Sequence, residues 1–401
     1  MPHLIEPASI LLPVREDLES WSVVACDQFT SQPSYWERAE ELAGEGPSAL
    51  RLILPEAWLH TERADGAPER IAETAERYLR DGVFREIPDA LIYVERTQPD
   101  GRVRRGLVGA LDLEQYDYAP GSRSPIRATE GTVAERLPPR VAIRRRAALE
   151  MPHTIVLMDD REDRVLSPLH AARERMKKLY DFELMLSGGH LRGWLVEGER
   201  LTAALSALDA LGDPALQQQK YGEAASNGPL TLAIGDGNHS LAAAKNWWEE
   251  LRPTLEASQR VNHPARFALV ELENIHDPAL DFEPIHRLLT DTDTEAFPEE
   301  LSKHRQEWEA AGLTLGERVA AAESFCRSYV ERFGGRIDYI HGDETAQKLG
   351  SLPGRAAVLL PPVEKDGLFA SVLADGALPK KSFSMGQAAD KRYYLECRRL
   401  R

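Results

Sequence analysis

Cysteine is scarce: of 401 residues only Cys26, Cys326 and Cys397 carry a thiol. Their odd number and wide spacing exclude a disulfide framework and a paired-cysteine zinc site. Basic charge is in deficit as well, with 49 Lys and Arg against 65 Asp and Glu and a formal net charge of −16. Such a chain repels polyanions overall, which argues against a generic nucleic-acid or membrane-surface binder. No apolar run approaches the roughly 18 residues that span a bilayer. Internal repeats, low-complexity tracts and Gly/Ser-rich linkers are missing too. The opening residues, Met1 to Pro7, lack the basic-then-apolar order of a signal peptide. The chain therefore reads as a soluble, reduced, cytoplasmic protein.

Apolar residues make up 42% and charged residues 28%, enough for a real core. Helical spacing is found at 34–43, 67–81, 200–210, 295–311 and 316–333. A further helix is expected over Ser167–Glu183, with Ser167 as N-cap and Pro168 first. Ala90–Arg96 and Arg102–Leu113 are apolar runs joined by Gln98-Pro99-Asp100-Gly101, a hairpin by its turn chemistry. Thr154–Met158, Leu191–Val196, Pro229–Ile234, Ala265–Leu272, Ile337–His341 and Ala356–Leu360 read as strands. Residues 119–150 are Pro-, Gly- and Arg-rich without clean periodicity. Strands alternating with helices, plus a hairpin, indicate a mixed α/β (α+β) fold. A boundary near residue 160 would separate an N-terminal lobe, 1–160, from a C-terminal lobe, 161–401; one continuous domain is the alternative.

The sharpest local pattern is a strand, then Gly235-Asp236-Gly237-Asn238-His239-Ser240, then a helix through Glu250. The glycines allow a tight turn and close approach to a ligand, and the helix start favours a phosphate. Asp236 could hold a metal ion or accept a proton, and His239 could donate to a phosphoryl oxygen. The plainer reading is a strand-to-helix turn capped by Asp236 or Asn238. A second pattern is Ser122 to Arg136, where hydroxyls, guanidinium groups and carboxylates crowd together. Arg127 and Arg136 could clamp phosphate or carboxylate, and Glu130 could act as base; otherwise this is a solvated loop with Thr132 as a cap. Asp159-Asp160 after a strand could bind metal, but a turn that ends the strand is the favoured reading. His286-Arg287 could contact an anion or belong to a helix start with surface charges. His153 and His170 are isolated, with structural or surface roles expected. Of Trp247-Trp248, one ring is expected in the core and the other exposed.

Together these blocks resemble the domain of unknown function family number 1015. The resemblance runs from Trp21-Ser22-Val23-Val24-Ala25-Cys26-Asp27 to His286-Arg287-Leu288-Leu289. Its Ala-Asp-Gly-His-His-Arg-like turn is met by Gly235–Ser240, its Glu-x-Thr and Arg-Leu by Glu130-Gly131-Thr132 and Arg136-Leu137, and its Pro-x-His-Arg-Leu by Pro284–Leu288. That family is similar to the ParB/sulfiredoxin superfamily, which contains kinases of free L-serine. The resemblance implies a ParB/sulfiredoxin-like nucleotide-binding core with large N- and C-terminal elaborations. It also implies Glu130, Asp236 and His239 as catalytic residues, with Glu130 as general base. Gly235, Gly237, Asn238, Ser240, Arg136, His286 and Arg287 would bind nucleotide phosphates. Arg127, Thr129, Thr132 and Asp27 would bind the substrate. Asn238 replaces the first histidine of the turn and Ser240 its arginine, which removes a bidentate phosphate contact.

The expected function is a phosphotransferase using Mg²⁺, held by Asp236, and ATP or ADP, with the hydroxyl of free L-serine or another small metabolite as acceptor. Partners would be small molecules, with neither nucleic acid nor membrane, and the oligomeric state stays open. A nucleotide sensor that hydrolyses slowly or not at all is the first alternative. A metal-dependent hydrolase using Asp159, Asp160, Asp236 and His239 is the second. Charge is uneven: residues 119–150 hold seven arginines against three acids, and residues 376–401 hold seven Lys/Arg against Asp390 and Glu396. Those two basic segments leave room for a compact anion site in an acidic body.

Overall fold

A computed structural model describes residues 3–132, 135 and 137–401. Strands appear in chain order as β1 (Ile5–Glu6), β2 (Ala8–Pro13), β3 (Phe84–Thr97), β4 (Val103–Asp112), β5 (Tyr116–Asp117), β6 (Ile126–Ala128), β7 (Leu149–Glu150), β8 (Ile155–Met158), β9 (Lys178–Leu184), β10 (Gly189–Val196), β11 (Leu232–Asp236) and β12 (Phe267–Asn274). All of these but β7 form one eleven-stranded mixed sheet, ordered β5-β6-β11-β8-β12-β4-β3-β10-β9, with β1 on β4 and β2 on β3. The mixed α/β expectation is met. A cut near residue 160 would sever this sheet, because strands from both sides of that point interleave in it.

The second sheet centres on β13 (Phe282–Thr290), flanked by β14 (Arg336–His341) and β15 (Arg355–Val358), with β16 (Phe383–Met385) on its first half. β17 (Arg398–Arg399) pairs with β7. Helices Phe297–Ala310 and Leu315–Phe333 bury Phe297, Val319, Phe325 and Tyr329 against Leu289 and Val358. The segment from Phe282 to Leu289 is therefore a strand rather than a helix start. Its alternate residues feed two packed faces, which leaves both His286 and Arg287 buried.

Other departures follow from tertiary pairing overriding local spacing. The helix at Ser167 stops at Ala172 and tightens through Arg173–Arg175, after which β9 begins. β9 pairs with β10 from Leu184↔Gly189 to Lys178↔Trp194, and this ladder replaces the expected last turns of helix. Ser167 is the first helical residue and makes no cap bond there. Within the Arg-rich passage, Leu137–Arg146 forms a helix with Leu137 and Val141 buried. Trp247 and Trp248 are both buried, under the sheet's helical layer.

One face of the large sheet is apolar and packs beneath helix Asn238–Leu251. The opposite face is divided. Ile92, Val94 and Val108 continue a core, while Arg96, Arg104, Glu271 and Glu273 present charges from the same three central strands. Residues 387–401 cover this charged half as a strap. Arg392 lies between Glu271 and Glu396, 2.5 Å from the latter, with all three side chains almost wholly buried. Arg104 donates to Asp390 O at 2.6 Å, and Arg96 donates to Gly188 O, Ala389 O and Lys391 O. Backbone bonds dock the strap on the N-terminal segment through Leu11–Cys397, Ala25–Arg392 and Val23–Tyr394. Arg392→Leu would leave Glu271 and Glu396 as unpaired buried carboxylates. The expected loss is about 3–5 kcal/mol of unfolding free energy, read from urea denaturation; an unchanged midpoint would show that the strap is not anchored there.

Candidate functional site

β11 runs parallel to β6, with Leu232↔Ile126 and Ile234↔Ala128 in register. That pairing carries the chain after Ala128 alongside the turn that begins at Gly235, so two segments a hundred residues apart meet. Thr129, fully buried, donates from Oγ1 to Ile234 O at 2.6 Å and is a strut between them. The seam is close on the other side as well. A Cβ at Gly235 would collide with Met385 Sδ of β16 and with Leu157.

At the turn, Gly237 has φ +79° and an added Cβ would lie 2.8 Å from Thr154 Oγ1. Only glycine fits both the left-handed backbone and that gap. Helix Asn238–Leu251 starts immediately afterwards, with no side-chain cap. Asp236, at the strand end, accepts Gly237 N–H at 2.8 Å and pairs with Lys391 Nζ at 3.2 Å. Burial is the largest influence and pushes the Asp236 carboxyl up, but the Lys391 charge, His153 and the Gly237 N–H together outweigh it, so the net direction is down and the group is ionised at neutral pH. Lys391 also donates to Ser384 Oγ at 3.4 Å. Ser240 Oγ lies 3.0 Å from His153 Nε2, and His153 Nδ1 lies 2.8 Å from Tyr394 Oη, which accepts Cys26 N–H at 3.3 Å. Asp27, next to Cys26 and half-buried, accepts from the Gln28 amide. His239 is half-buried in the helix's first turn, and Asn238 Oδ1 is buried without a hydrogen-bond partner.

Other expected site residues stand elsewhere or do other things. Glu130 is beside the turn, but its carboxylate accepts three backbone N–H groups, from Lys381, Ser382 and Phe383, at 3.2, 2.9 and 3.3 Å. Burial pushes its pKa up and these amides offset only part of that. Glu130 thus anchors the chain leading into β16 instead of standing free as a base. Arg127 is buried and spends its guanidinium on Ser124 O, Asn227 O and Pro229 O, as a loop clamp. Thr132 Oγ1 is buried and makes no hydrogen bond. His286 bridges Asp343 and Leu360 N–H inside the second sheet. Arg287 pairs with Glu323 at 3.1 Å and donates to Lys381 O at 2.9 Å, bracing the same 381 segment from behind. Arg136 lies outside the described residues.

The hydrolase constellation is not assembled. β8 and β11 are antiparallel, so Asp159 after Met158 and Asp236 opposite Ile155 lie at opposite strand ends. Asp159 bonds Tyr221 Oη and His276 Nε2 at 2.5 and 2.6 Å, and Asp160 accepts Val165 N–H within a turn. Nor do the residues present fit a protein-held Mg²⁺. Asp236 already faces an ammonium, and among the described residues no three His, Cys, Asp or Glu side chains converge as ligands.

Lys391, His153, Tyr394 and Glu273 are the site residues that spacing did not reveal. Only the basicity of the last 26 residues hinted at the first of them. Glu273 is fully buried with Arg104 Nε at 2.7 Å, within reach of the charges of Asp277, Lys391 and Asp236. Burial outweighs the arginine and raises its pKa to about 7.

In comparison with known proteins, a family model described as "Protein of unknown function (DUF1015)" matches residues 5–399. No curated protein and no solved structure matches the chain. No helix among the described residues is long and apolar enough to cross a membrane.

The raised Glu273 pKa sets a pH signature. Its contribution is fully present below the ordinary value of 4.5 and is lost as pH rises through about 7. Between pH 5 and 8, wild type should therefore lose about 2–3 kcal/mol relative to Glu273→Gln. Urea melts across that range measure it, and parallel pH profiles for the two proteins would refute the assignment.

Proposed function

The chain belongs to the DUF1015 family over nearly its whole length, and from the geometry of its 235–240 turn we propose a nucleotide-dependent phosphotransferase acting on the hydroxyl of a small metabolite. Free L-serine is the first acceptor to test, with ATP or ADP as donor. The observation that carries this reading is the junction itself. A left-handed glycine without room for a Cβ opens a 14-residue helix that has no side-chain cap, beside a carboxylate–lysine pair.

Phosphoryl transfer requires positioning and charge neutralisation more than covalent chemistry. The N–H groups at the helix start and the Ser240 hydroxyl would take phosphate oxygens, and Lys391 would offset their charge. Asp236, kept ionised, would accept the proton of the acceptor hydroxyl as its oxygen bonds to phosphorus and the shortened nucleotide leaves. Asp236 takes this role in place of Glu130, whose oxygens are occupied by three amides. Mg²⁺ would arrive with the nucleotide's phosphates and neutralise their charge; no side-chain cage holds it. A ParB/sulfiredoxin-like nucleotide core, cytoplasmic location and small-molecule partners belong to the same reading.

One observation favours the second reading, a nucleotide sensor. Asp236 is paired to Lys391 and Glu130 is an anchor, which leaves few free catalytic carboxylates at the turn. The test is nucleotide turnover with L-serine and mass detection of O-phosphoserine. Wild type should form product, and Asp236→Asn should lower kcat about 100-fold or more while still binding nucleotide. Nucleotide binding without acceptor-dependent turnover would leave the sensor; no nucleotide binding would remove both.

A further inference from the structure

The hydrogen bonds that hold Ser240 have a direction that can be worked out from one end. At Cys26 the backbone N–H can only donate, so Tyr394 Oη is the acceptor there and its own proton remains for another partner. Two acceptors are within reach, the His153 Nδ1 at 2.8 Å and the Cys26 sulfur. Burial pushes the Cys26 thiol to about 12, so the sulfur stays a neutral thiol and a weak acceptor beside an imidazole nitrogen. Burial also pushes the Tyr394 phenol well above its ordinary value, which keeps its proton in place. Tyr394 therefore donates to His153 Nδ1.

A neutral imidazole that accepts at Nδ1 carries its proton on Nε2. That N–H, 3.0 Å from Ser240 Oγ, donates to the serine oxygen. The Ser240 proton then points away from the imidazole, and the hydroxyl makes no other hydrogen bond among the described residues. The opposite polarity, with Nε2 accepting from Ser240, would have made a nucleophile and its base. The tyrosine selects against it.

We infer that Ser240 is a fixed hydrogen-bond donor to an oxygen of a bound phosphoryl group, with His153 and Tyr394 as positioning residues, and that it is not a nucleophile. This rests on the phosphate-binding reading of the same turn.

The test combines ¹⁵N NMR of histidine-labelled protein with titrations of MgATP and inorganic phosphate. The His153 signals are identified by their loss in His153→Gln. Wild type should show the Nε2–H tautomer, and Tyr394→Phe a mixture of tautomers. Ser240→Ala should bind MgATP about tenfold more weakly, and Ser240→Thr should recover most of that loss. An Nδ1–H tautomer in wild type overturns the inference without any variant having to fold. So does a covalent fluorophosphonate or phosphoryl adduct on Ser240, or an unchanged affinity in Ser240→Ala where wild type binds. Failure of wild type to bind either anion is a different result: it removes the phosphate-binding reading and with it the ligand assigned to Ser240.

Discussion

The structure depends on a layer of charge buried where a core would ordinarily be apolar. Arg96, Arg104, Glu271 and Glu273 project from the central strands, and Arg392 with Glu396 closes over them from the strap. Taking such groups out of water is costly, and their mutual attraction repays it only when nearly every partner is in place. Strap carbonyls accept from Arg96 and Arg104, and carboxylates pair with Arg104 and Arg392. Apolar packing under helix Asn238–Leu251 supplies the bulk of the driving force. The charged layer decides where the last residues of the chain must lie.

The candidate site follows from that placement. The strap that neutralises Glu271 also carries Lys391 to Asp236 and Tyr394 to His153. Glu130 and Arg287 fix the 381–383 segment from two sides, which sets where β16 and Ser384 meet the end of β11. Residues from five distant parts of the chain, near 26, 130, 153, 236 and 391, converge because the ends of the chain are tied together. The strap thus contacts both the charged layer and the turn.

Much of the fold was legible in the sequence. The hairpin around Pro99-Asp100-Gly101 and the amphipathic helices at 67–81 and 316–333 follow from turn chemistry and period, which are local quantities. The errors fall where two periods compete. Lys178–Leu184 reads as helix until β10 offers it a ladder, and Phe282–Leu289 reads as a surface helix until neighbours occupy both its faces. Composition shows seven cations in 376–401 but not their partners: Arg392 and Arg398 pair with Glu271, Glu396 and Glu150, whereas Lys391 reaches Asp236.

By itself the sequence determined the mixed α/β class, the glycine turn before a helix and the family, because each is written in contiguous residues whose local chemistry has few solutions. It also drew attention to Glu130 and Asp236 by residue type. What each of them is bound to was decided only by tertiary structure. A carboxylate's role depends on what occupies its oxygens: three amides for Glu130, an ammonium for Asp236. The same holds for Ser240, whose hydroxyl takes its direction from a histidine 87 residues away and a tyrosine near the end of the chain. Hydrogen-bond polarity is a property of the assembled network, and no window of sequence contains it.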